Sequence, residues 1–80
     1  MSIETLDELY SFVRTLVVEL RQRGLEEAAV AVDVALGGST SGEILEQLWF
    51  AFLDVERLIG KTPGLEEALG YINRVLGPPK

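Results

Sequence analysis

Residues 24–38 read GLEEAAVAVDVALGG, and residues 64–78 read GLEEALGYINRVLGP. Gly24, Leu25, Glu26, Glu27, Ala28, Leu36 and Gly37 meet Gly64, Leu65, Glu66, Glu67, Ala68, Leu76 and Gly77 when the two stretches are aligned. Both place two carboxylates where the positive end of a helix favours them, and both close on Leu-Gly, a helix stop. Upstream, ETLDELY at 4–10 aligns with EILEQLW at 43–49, offset by one residue that the loop at Pro63 absorbs. The chain therefore reads as two pseudo-repeated αα-hairpins, about 3–37 and about 41–77, joined by a Gly/Ser linker at 37–41. A single helical hairpin leaves an apolar face in water, and two of them can bury each other. The expected fold is all-α: a compact four-helix bundle forming one domain over residues 1–80.

Periodicity and punctuation give the helices their limits. Leu6, Leu9, Val13, Leu16, Val17 and Leu20 recur at helical spacing, which predicts a first helix from about Ile3 to Arg23, stopped by Gly24. A second spans Leu25–Leu36 and ends at Gly37-Gly38. Thr40 with Glu43 is a capping-box pattern that opens a third helix, which runs to about Gly60. Thr62-Pro63 reads as an N-cap followed by proline at the first helical position, and Gly77-Pro78-Pro79 ends the fourth helix after Leu76. No segment alternates as a strand does.

Residues 43–60, EILEQLWFAFLDVERLIG, carry more apolar surface than one face requires. Leu45, Leu48, Trp49, Phe52, Val55 and Ile59 match Leu6, Leu9, Tyr10, Val13, Leu16 and Leu20 and make the expected core face. Ile44, Ala51 and Leu58 are left on one flank, and Phe50 and Leu53 on the other. In the second helix Leu25, Ala28, Ala29, Val32, Ala35 and Leu36 face the core, while Val30, Ala31 and Val34 point elsewhere. A helix with so wide an apolar arc is buried on more than one side. Either the third helix is central and touches all three others, or one flank meets a second chain. We expect the latter: a two-fold homodimer, the commonest oligomer, with Ile44, Phe50, Ala51, Leu53, Leu58, Val30 and Val34 at the interface. Cores of this size supply only about 3–5 kcal/mol of net stability, and without cysteine no disulfide can supplement it. Gly70, inside the fourth helix, is expected either to admit Trp49 or Phe52 close to the backbone or to be a tolerated surface glycine.

Candidates for chemistry are few. The chain has no Cys and no His, so zinc, haem and iron–sulfur sites lose their usual ligands, and no metal or cofactor is expected. Asp33, within the apolar run AVAVDVAL, aligns with Asn73, and the two are a possible polar core in which Asp33 pairs with Arg14 or Arg74. Glu26-Glu27 and Glu66-Glu67 match the helix dipole and point too far apart around the helix to chelate one ion. GGSTSGE at 37–43 lacks the Gly-Lys-Ser/Thr of a phosphate loop. No catalytic residue is assigned, and the chain is not expected to be an enzyme.

The formal net charge is −6, and the seven Lys and Arg residues are scattered, which argues against nucleic-acid binding. The start, MSIETLDELY, is acidic and lacks the features of a signal peptide, and no apolar run approaches the roughly 20 residues of a membrane span. A cytoplasmic location is the expectation. The expected function is that of a small acidic helical protein–protein interaction module that self-associates. The alternatives are an antitoxin-like or immunity-like binder of a basic protein, and a bundle that holds a small ligand.

Overall fold

The computed structural model describes residues 3–77. It contains α1 (Leu6–Gln22), α2 (Glu26–Ala35), α3 (Ser41–Ile59) and α4 (Pro63–Leu76), and no strand among the described residues. Thr5, Thr40 and Thr62 precede α1, α3 and α4 in extended backbone. Each threonine hydroxyl accepts the N–H three residues on, at 3.2 Å. This satisfies one of the four donors a helix start leaves unpaired. Around Thr5 the exchange is reciprocal, because the Glu8 carboxylate accepts the Thr5 N–H at 3.1 Å. The box expected at Thr40 closes on one side only: the Glu43 carboxylate accepts from Gln47 Nε2 at 3.4 Å instead.

The start of α1 lies later than the apolar pattern suggests. Ile3 is not helical, yet it is 1% exposed. It folds over the end of the bundle, and its carbonyl accepts from Arg74 Nη2 of α4 at 3.0 Å.

Between α1 and α2 the chain turns through a Schellman motif. Leu25 N–H reaches Leu20 O at 2.9 Å and Gly24 N–H reaches Arg21 O at 3.0 Å, with Gly24 at φ +77°. The second hairpin turns instead at Gly60, φ +85°, the cap of α3. Gly64, which the repeat aligns with Gly24, lies inside the first turn of α4, and a Cβ there would stand 2.6 Å from Phe12 Cε1. The same letter thus serves backbone conformation in one hairpin and clearance in the other.

The helices form a ring. α1 packs on α2, α2 on α3 and α3 on α4, while α4 meets α1 over a smaller area. α3 therefore has two close backbone neighbours, not three. It reaches α1 across the diagonal through aromatic side chains: the Phe12 and Phe52 rings meet edge-on, with centroids 6.0 Å apart and planes at 75°. Leu9, Val13, Leu20, Val32, Leu48, Phe52, Val55, Leu65, Ala68 and Ile72 are sealed around that contact. Trp49, expected in the core, is half-buried at its edge. No polar or charged side chain is buried among the described residues.

Candidate association surface

The expected interface residues separate by position. Phe50 is 60% exposed, Leu58 57%, Val34 64% and Val30 44%. Ile44 and Leu53 are half-buried, and Ile44 packs against the core. Ala51 is not at the surface: it is buried with the core of α3. Its angular position is one flank of the core face, and its small methyl is sealed there, whereas the longer Leu58 on the same flank projects into solvent.

Val30 and Val34, one helical turn apart, share a stripe on the side of α2 opposite buried Val32. On α3, Phe50 and Leu58 are separated around the helix by Asp54, which accepts from the Arg57 guanidinium. The two apolar groups are therefore distinct patches.

Three exposed apolar side chains lie outside the expected set: Val18, Val75 and Leu76. Val75 and Leu76 follow Ile72 by three and four residues and so share its side of α4, but they sit in the last turn. Helical angle alone assigns them to the core, yet in the last turn of α4 both are exposed. A reading that weighed distance from the helix end as well as angle would have found them.

Asp33 and Asn73 form no polar core, since both are exposed. Asp33 follows Val32, so it is turned about 100° from the buried line. There its carboxylate stays in water and avoids the several kcal/mol that unpaired burial would cost. Arg74, one of its two expected partners, donates to the Ile3 carbonyl. Phe52 is fully buried and Asp33 lies on the outer surface, so the Asp33 carboxylate does not face the interior of the bundle.

The charges are distributed unevenly. α2 carries Glu26, Glu27 and Asp33 and no basic residue, with Glu26 bridged to Arg21 of α1 at 3.3 Å. The outward side of α3 carries Glu43, Glu46, Asp54 and Arg57. Among the described residues no group of three metal-ligating side chains converges, and no helix is long and apolar enough to cross a membrane. Comparison with family models, with curated proteins and with solved structures finds no match for this chain.

Proposed function

We propose that this protein is a small helical interaction module that acts by binding rather than catalysis, and that its partner is a second copy of itself. The observation that carries the reading is the exposure of Phe50, 60% open on a helix whose core face is already complete with Leu45, Leu48, Phe52 and Val55. A large aromatic left in water forgoes a few kcal/mol of burial at about 25 cal/mol per Å². That is comparable with the whole net stability of a domain this small. Apolar groups that remain outside after a core is filled mark contact surfaces when they recur together, as Phe50 does with half-buried Leu53.

Light scattering coupled to size exclusion at micromolar concentration tests this. The expected mass is twice the 8.8 kDa of the chain. A monomer at every concentration overturns it.

The Val30–Val34 stripe supports a second reading for α2 alone. Carboxylates are the only charged groups on α2 itself, so this stripe suits a partner helix that flanks a narrow apolar seam with Lys or Arg. A retained partner that elutes as salt rises is the expected outcome, and salt-independent capture counts against it.

A further inference from the structure

We infer that the second copy docks on α3 in antiparallel orientation, with Phe50 on the two-fold axis. The inference rests on the self-association just proposed and adds its geometry. Glu43, Phe50 and Arg57 are seven residues apart, close to two turns each, so they fall on one line along α3. All three are exposed, and the line points away from buried Phe52. Glu43 is directed outward because its carboxylate accepts from Gln47 rather than returning to the Thr40 backbone.

This line is complementary to itself in one direction only. A two-fold axis through Phe50 and perpendicular to α3 brings Phe50 onto the partner's Phe50. It also sets Glu43 against the partner's Arg57, both about 10 Å along the axis from the centre at 1.5 Å per residue. Gln47 and Asp54 occupy the same flank of the line, so the same operation places the Gln47 amide beside the partner's Asp54. Leu53 and Glu46 share the other flank, which brings the Leu53 methyls against the aliphatic part of the partner's Glu46. Arg57 already donates to Asp54 of its own chain and retains further N–H groups for a second carboxylate. A parallel pair would instead oppose Glu43 to Glu43 and Arg57 to Arg57. Isologous contacts require that residue i meet j while j meets i, and here the sign of each charge enforces the direction. Opposed helix dipoles favour the same arrangement.

The chain contains no cysteine, so single-cysteine variants report orientation without interference. Glu43→Cys and Arg57→Cys are mixed, allowed to exchange subunits and oxidised. The expected product is a disulfide between the two different variants, well in excess of either homodisulfide. Phe50→Cys alone is expected to cross-link to itself. Phe50→Glu is expected to raise the dissociation constant about tenfold or more, with helical content unchanged. Homodisulfides of Glu43→Cys and of Arg57→Cys would mean parallel docking and overturn the inference. A wild-type dimer that yields no disulfide at any of these sites would place the contact on another face and overturn it too, leaving self-association standing. A wild-type monomer in light scattering would end both.

Discussion

Gly64 and Gly70 lie six residues apart in α4 and do opposite things. At Gly64 an added Cβ would press on the Phe12 ring at 2.6 Å. That ring is half-buried and held edge-on against Phe52, so it cannot swing away without disturbing the diagonal of the bundle. Alanine there gains about 1 kcal/mol of helix propensity and meets overpacking of about 1–3 kcal/mol. Gly64→Ala is therefore expected to lower stability by about 1 kcal/mol in urea unfolding. In a Phe12→Leu background the penalty should shrink or reverse, since the two sites share the contact. At Gly70 a Cβ would meet nothing within 4 Å. Gly70→Ala is expected to raise stability by about 0.5–1 kcal/mol through the unfolded chain and the helix backbone alone. A loss there would show that something approaches α4 at that point. The letters do not distinguish these two glycines. One is constrained by a ring 52 positions earlier in the chain, and only the three-dimensional path of α1 past α4 reveals it.

Helix ends were the most legible feature, because capping chemistry is local. Thr62-Pro63 opens α4 and the Thr40 hydroxyl opens α3, as the sequence pattern leads one to expect. The start of α1 was obscured by Ile3, whose apolar character extends the helical pattern although the residue serves as a lid on the bundle end. The same Thr-x-x-Glu spelling occurs at Thr5 and at Thr40, yet only Glu8 returns to its cap. Glu43 has Gln47 one turn away and Glu8 has Phe12, so only Glu43 has a competing amide donor. This difference is measurable. Thr5→Ala and Thr40→Ala should each cost about 1 kcal/mol for the lost hydroxyl acceptor. Glu8→Ala should destabilise as well, because it releases the Thr5 N–H, whereas Glu43→Ala should leave unfolding almost unchanged at low concentration. Equal losses at Glu8 and Glu43 would mean that the one-sided cap at α3 closes fully in solution.

The bundle as a whole has a radius of gyration of 11.6 Å, as compact as a chain of 80 residues is expected to be. Its two-hairpin plan follows from the repeat, but the allocation of the leftover apolar residues does not. Ala51 and Leu58 have nearly the same angle on α3 and opposite fates, because burial depends on where the neighbouring helix runs as well as on angle. What remains outside links association to stability. If a dimer is the folded species, unfolding also dissociates it, and mass action raises the midpoint with protein concentration. For a domain of this size each tenfold increase should raise the melting temperature by a few degrees, since about 1 kcal/mol corresponds to about 4–8 °C. Phe52→Ala removes a fully buried ring and should cost about 3–5 kcal/mol at any concentration. Phe50→Glu touches only the outer face and should leave the low-concentration midpoint in place while abolishing its rise. Calorimetry over a hundredfold concentration range separates the two effects: a wild-type midpoint that stays flat would mean that no association through Phe50 is coupled to folding.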